Sequence, residues 1–293
     1  MRLVLGVDVG GTASRALVTT TDGTRVGYGR AGAGNPVAVP PEVARANVSG
    51  AIAAALSNVD RDRIEAAVVG AAGAAGSDIF EKLLPTLGLD CPLRVVGDVV
   101  VAFAAGTTAR RGTVLIAGTG AAAAEVDGFT QVRVADGLGW LLGDLGSGFW
   151  LGRQAASLTA RALSLGTKGM LIERVANAVG ETDPDGFVVA VHARPPRELG
   201  GLAPLVTEAA LAGDELALSI VDEAARHLVA TTGQVRAPGD AAPIVLAGSV
   251  LAHSEPIRSH VGKRLAELWP EAAVTLAASG EIGAARLARR GWF

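Results

Sequence analysis

Asp8-Val9-Gly10-Gly11-Thr12 sets a carboxylate, paired glycines and a hydroxyl in one short run. Two glycines let the backbone turn tightly and bring its N–H groups close to a ligand, a geometry suited to phosphate. Asp8 can hold a hydrated Mg²⁺, and Thr12 supplies a hydroxyl. Standing alone, the segment reads better as an ordinary Gly-Gly hairpin. It does not stand alone. Ile116-Ala117-Gly118-Thr119-Gly120-Ala121 occupies the equivalent turn of a second, similar unit, so two glycine-rich hairpins could face each other and enclose a polyphosphate. A third glycine element, Ala247-Gly248-Ser249, follows a buried apolar run late in the chain, where a flat adenine could pack against backbone.

Three further segments carry polar groups. Asp98 follows Val95-Val96-Gly97, at the C-terminal end of a predicted strand, which is where open α/β sheets bind ligands. There it can take the proton of an attacking alcohol, or simply cap the helix that follows. Asp144, within Leu142-Gly-Asp-Leu-Gly-Ser-Gly-Phe-Trp150, sits on a turn leading into a helix, a natural place to meet sugar hydroxyls; Trp140, Phe149 and Trp150 read as core aromatics. Asn35, in Gly34-Asn35-Pro36, is either a turn residue or a sugar-binding amide.

Other chemistries do not match. Gly166-Thr167-Lys168 lacks the upstream glycine of a Walker A loop, and the Gly70–Gly76 segment lacks G-x-G-x-x-G spacing, so it reads as a loop lining a cleft. The four histidines have no metal-ligand spacing, and the single Cys91 supports neither a disulfide nor a thiolate metal site. The Arg61–Arg63 and Arg286–Arg290 clusters read as solvated faces.

The elements that must position these groups come in two rounds. Leu3–Val9, Ser14–Thr21 and Arg25–Arg30 read as strands, followed by helix Pro40–Leu56, strand Ala66–Val69, helix Ser77–Leu84 and strand Leu93–Val96. Thr113–Ala117, Ala121–Val126 and Gln131–Ala135 repeat the three-strand opening. Helices at Gly146–Leu163, Lys168–Val179 and Leu202–Val235 (broken near Gly213), strand Ile244–Ala247, helix Glu255–Leu268, strand Val274–Leu276 and helix Glu281–Arg290 follow. The recurrence points to a duplicated α/β architecture with a cleft between its halves, although periodicity by itself fits a single doubly wound sheet equally.

The chain of 293 residues is long enough for one large or two medium domains. With 26 basic against 29 acidic residues there is no field for nucleic acid, and 4% aromatic content argues against a base-stacking surface. No apolar run reaches the ~18 residues a membrane span needs, and the N-terminal run lacks a signal-peptide pattern, so a cytoplasmic protein is expected.

In order and spacing, Asp8–Thr12, Gly97-Asp98, Gly118–Gly120 and Ala247–Ser249 resemble the phosphate-1, connect-1, phosphate-2 and adenosine motifs of the actin, hexokinase and heat-shock chaperone superfamily. Gly34-Asn35-Pro36 and Leu142–Trp150 are similar to the BadF/BadG/BcrA/BcrD group with its N-acetylglucosamine and glucosamine kinases. The resemblance implies two ribonuclease-H-like domains, 1–110 (completed by the C-terminal helix 279–293) and 111–278 with a helical insertion. It implies ATP and Mg²⁺, with Gly10, Gly11, Thr12, Gly118, Thr119 and Gly120 at the phosphates and Asp8 near the metal. Gly248 and Ser249 would contact the nucleoside, Asn35, Asp98 and Asp144 the sugar. The dehydratase activators of the group use two cysteines per chain for a bridging iron–sulfur cluster, and the zinc-bearing ROK glucokinases a cysteine-rich loop; a chain with one cysteine matches neither. It departs from many relatives at Leu145, where they carry an acidic residue. The expected activity is phosphorylation of an amino-sugar 6-hydroxyl with Asp98 as base, glucosamine ahead of N-acetylglucosamine or another hexose or muramic-acid derivative. The other class is a non-catalytic nucleotide or sugar sensor. No nucleic acid or membrane partner is expected, and a homodimer is compatible with the sequence.

Overall fold

The structure, a computed structural model, describes residues 2–36, 39–71 and 77–290. Residues 72–76 of the expected cleft-lining loop lie outside that set. The elements open with β1 (Leu3–Val9), β2 (Ser14–Thr20), β3 (Arg25–Ala31), α1 (Pro41–Ala55), β4 (Ile64–Ala71), α2 (Ser77–Thr86), β5 (Leu93–Gly97) and α3 (Asp98–Gly106). They continue with β6 (Arg111–Ala117), β7 (Ala121–Asp127), β8 (Thr130–Asp136), α4 (Gly148–Ser164), α5 (Met170–Val179), α6 (Pro184–His192), α7 (Ala203–Leu211) and α8 (Glu215–Val235). The chain ends with β9 (Ile244–Ala247), α9 (Ser249–His253), α10 (Glu255–Leu268), β10 (Val274–Leu276) and α11 (Gly280–Arg289).

These strands form two five-stranded sheets, β3-β2-β1-β4-β5 and β10-β9-β6-β7-β8. Read from its other edge, the second has the same order as the first, so the duplication expected from the sequence is present in the topology. In the first sheet β1 pairs antiparallel with β2 and parallel with β4, and β4 runs parallel to β5. In the second, β9 runs parallel to both β6 and β10. By contacts the chain divides into two compact units, one of Met1–Gly112, Val126–Val132 and Ala277–Phe293, the other of Thr113–Glu125 and Arg133–Leu276.

Within the first unit, β1 is apolar at nearly every position because both of its faces are covered. Leu3, Leu5, Val7 and Val9 pack with Val48, Ala51, Ile52 and Ala55 of α1. On the opposite face α11 comes so close that a side chain on Gly6 would lie 2.2 Å from the Ala285 nitrogen. The second unit carries the larger core, in which β6 and β9 contribute Leu115, Ala117, Ile244 and Leu246 beneath α4, α7 and α8.

Two differences from the sequence reading have clear causes. Helix α6 was not expected because only Phe187 of its residues is buried, which leaves no apolar stripe; Asp183 caps it, accepting from the Gly186 amide at 2.9 Å, and Pro184 begins its first turn. The Arg286–Arg290 cluster is no simple solvated face. Arg286 Nη1 donates to the carbonyls of Ala104 (3.1 Å) and Ala105 (2.8 Å), closing the C-terminal end of α3, and Arg290 donates to Thr108. No helix among the described residues is long and apolar enough to cross a membrane.

Candidate functional site

In the first unit the glycine turn between β1 and β2 is closed by Gly10, whose amide donates to Ala13 O at 3.0 Å. The Gly10 carbonyl accepts the amides of Gly34 (3.1 Å) and Asn35 (3.3 Å), so the loop carrying Asn35 is tied to this turn. Gly11 and Thr12 are exposed at its tip. Asp8 precedes the turn at the end of β1, in register with Gly70 of β4, which is itself in register with Val96 of β5. One row across three parallel strands therefore brings Asp8 and the end of β5 to the same edge. Asp98 follows there, one residue past the N-cap Gly97, with Oδ1 accepting the Val99 amide at 2.9 Å.

The electrostatics of this edge are acidic. Burial pushes the Asp8 carboxyl up to about 6 against the pull of Arg15, and the negative charges of Glu281 and Asp98 add to the rise. Arg15 Nη1 lies 3.4 Å from Asp8 Oδ2. Burial also raises the Asp98 carboxyl, opposed by the amides of Val99 and Asp98 itself. The Asp8 carboxylate rests against Gly280 at the start of α11, where a Cβ would stand 2.6 Å from Asp8 Cγ. A partly buried carboxylate within electrostatic reach of two anions and one cation favours a bound cation or a shared proton.

In the second unit the Gly118–Gly120 turn joins β6 to β7, with Thr119 exposed at its tip. Gly118 O accepts the Gly148 amide at 2.7 Å, which docks the start of α4 on the turn. Gly248 and Ser249 lie beside it: a Cβ on Gly118 would be 3.5 Å from the Ser249 nitrogen. Asp144 is buried, and its Oδ1 accepts the Ala121 amide at 3.0 Å. Burial raises this carboxyl, the Ala121 bond lowers it and Asp136 raises it. Ser147 Oγ caps α4 by accepting the Trp150 amide at 3.1 Å. Of the sequence-predicted residues, the first unit thus brings together Asp8, Gly10, Asn35 and Asp98, and the second Gly118, Gly120, Asp144, Gly248 and Ser249.

Sequence reasoning missed Asp136. Its Oδ1 accepts the Asp144 amide at 2.7 Å and its Oδ2 the Leu145 amide at 3.1 Å, so it holds the Asp144 turn in place. The only available cue was an aspartate at the end of a predicted strand. Phe149 and Trp150 are buried, as read, whereas Trp140 is half exposed with its ring 5.2 Å from that of Phe149. Leu145 is partly exposed and offers its amide to Asp136.

Comparison with known proteins gives the family and the fold. The sequence profile of the BadF/BadG/BcrA/BcrD ATPases matches residues 5–288. The chain belongs to the BadF/BadG/BcrA/BcrD ATPase family. A curated relative, the N-acetylmuramic acid/N-acetylglucosamine kinase of Clostridium acetobutylicum, is 25% identical over 236 residues, 78% of this chain and 77% of its own. A solved structure from Chromobacterium violaceum, carrying the provisional name N-acetylglucosamine kinase, superposes with a TM-score of 0.76 at 22% identity, over 98% of this chain and 99% of that one. A ROK family glucokinase from Streptomyces griseus, solved with glucose and AMPPNP, superposes at 0.60 with 22% identity, over 99% and 100%. At these identities the solved structures establish the fold alone, which this chain shares with them.

Proposed function

We propose that this ATPase-family member is a kinase that transfers the γ-phosphoryl group of ATP to the 6-hydroxyl of an amino sugar. Asp98 carries the reading: a carboxylate beyond the C-terminal end of a parallel strand, fixed by the Val99 amide, with burial raising its affinity for a proton. Phosphoryl transfer asks a protein mainly for positioning and charge stabilisation. In this reading Asp98 orients the sugar 6-hydroxyl and accepts its proton, while Asn35 and Asp144 hold other hydroxyls. The turns at Gly11–Thr12 and Gly118–Gly120 cradle the phosphates, and Gly248 and Ser249 border the nucleoside.

A divalent cation fits the residues present. No group of three metal-ligating side chains occurs among the described residues, but Mg²⁺ in such sites takes one or two carboxylates and completes its shell with water and substrate phosphates. Asp8, partly buried and within electrostatic reach of Glu281 and Asp98, supplies that partner, and the bound ion would neutralise phosphate charge. For the acceptor, the name of the C. acetobutylicum relative supports N-acetylated sugars over the free glucosamine that the sequence reading put first. We take N-acetylglucosamine as the leading substrate and glucosamine as the alternative.

The test is Asp98→Asn, which keeps an oxygen for the Val99 amide and removes the base. Loss of a positioned general base lowers kcat by roughly 10²–10⁴. Unchanged ATP affinity with that loss supports the role; wild-type turnover overturns it.

A further inference from the structure

The face of the first sheet that meets α11 carries a second constellation. Side chains two apart on a strand share a face, and the β2–β3 register sets Leu17 opposite Tyr28 and Thr19 opposite Arg25. Facing them, α11 presents Glu281, Ala285 and Arg289 on one stripe and Ile282 and Arg286 beside it. Between the two lies a pocket of 340 Å³. Ligand sites run from roughly 300 to 1,000 Å³, so the space suits a small molecule.

Its lining has unmet hydrogen-bonding capacity. Glu281 and Thr19 are each 4% exposed, and Glu281 Oε2 and Thr19 Oγ1, both closed to solvent, have no hydrogen-bond partner among the described residues. Buried polar atoms are normally satisfied, and an orphaned carboxylate oxygen is costly. Glu281 Oε1 is already held by the Ser279 hydroxyl at 2.5 Å, which leaves Oε2 to accept from a ligand. The rim carries Arg25 and Arg289 alongside one acidic residue, Asp22. Arg25 stacks over the Tyr28 ring at 4.4 Å, and Arg289 lies against Gly23, within electrostatic reach of Asp22. Arg286 is occupied with the α3 carbonyls.

We propose that this pocket binds a small phosphorylated polyol, with its phosphate on Arg25 and Arg289 and hydroxyls bonded to Glu281 Oε2 and Thr19 Oγ1. A simple anion would leave the buried oxygens unsatisfied, and an uncharged sugar would leave the guanidinium pair unused. Arg25, Arg289 and Thr19 lie outside the proposed catalytic groups, and Glu281 enters them only through its charge acting on Asp8, so the site stands whether or not the chain is a kinase.

Isothermal titration of the intact protein with glucosamine 6-phosphate, glucose 6-phosphate, glucosamine and inorganic phosphate tests this. Losing a hydrogen bond to a charged group weakens binding about tenfold or more. The sugar phosphates should bind the wild type, the Arg25→Gln/Arg289→Gln variant should lose at least that factor, and Thr19→Val should weaken sugar phosphate while melting no lower than the wild type. Three results overturn the proposal: sugar phosphate titrations unchanged in both variants, inorganic phosphate binding as tightly as the sugar phosphates, or free glucosamine doing so.

Discussion

Asp136 holds Asp144 by its backbone: one carboxylate oxygen takes the Asp144 amide at 2.7 Å and the other takes the amide of Leu145. Both aspartates have left-handed backbone conformations, φ 61° at Asp136 and 57° at Asp144. Such conformations persist only where surrounding bonds enforce them, and here they aim the Asp144 carboxylate at the Ala121 amide beside the Gly118–Gly120 turn.

In the proposed kinase, Asp136 is therefore a positioning residue. Asp136→Ala should raise KM for the sugar roughly tenfold with little change in KM for ATP, through loss of two charge-assisted bonds. Asp136→Asn, which tolerates the same backbone and keeps one acceptor, should fall between. Combined with Asp144→Ala, the Asp136 change should add almost nothing, since both act on one contact. Equal losses for sugar and ATP would reduce Asp136 to a fold-stabilising role.

Gly248 joins β9 to α9 with φ at 92°, and a Cβ there would stand 2.3 Å from the Ala117 carbonyl oxygen. Gly248→Ala should cost roughly 1–3 kcal/mol in backbone strain, with the clash adding to it, and should weaken nucleotide binding by pushing this turn from the Gly118 turn. Chemical denaturation together with titration of a fluorescent ATP analogue measures both. A variant as stable as the wild type with the same affinity contradicts the assignment.

Asp8 sets a pH dependence of stability. Its carboxyl titrates near the ordinary 3.8 when unfolded and at about 6 when folded. Between those values the native state holds a proton that the unfolded chain has released, so this contribution is full below about 3.8 and is lost as pH rises through 6. Asp98 and Asp144, also raised, act with the same sign. Asp8→Asn should flatten the profile and stabilise the protein by about 1–3 kcal/mol at pH 7.5, the lost Arg15 pairing subtracting from the gain. Urea denaturation from pH 4 to 8 in chelator compares the two; parallel profiles would contradict the account.

The parts legible in the sequence were those written in local pattern. Apolar runs broken by Gly-Gly or Asp-Gly gave the hairpins of both sheets, and their recurrence gave the duplication seen in the strand order. Other features depend on contacts distant in sequence. Nothing near Asp136 shows that its carboxylate will meet amides eight and nine residues on. Nor does the arginine cluster near the C-terminus show that Arg286 will close a helix formed by residues 98–106. Glu281 begins the last predicted helix with nothing near it in sequence to mark it as buried, yet α11 packs that turn against β1 and buries it.

The most direct measurement is ADP release coupled to ³¹P NMR of the product, with MgATP and N-acetylglucosamine, glucosamine, N-acetylmuramic acid, glucose and mannose offered separately. The account predicts sugar-dependent ADP release and a 6-phosphomonoester, fastest with N-acetylglucosamine. Turnover of glucosamine alone would move the specificity to the free amine and leave the reaction in place. ATP binding with no sugar-dependent ADP release for any acceptor would contradict the kinase reading and leave a nucleotide-binding sensor.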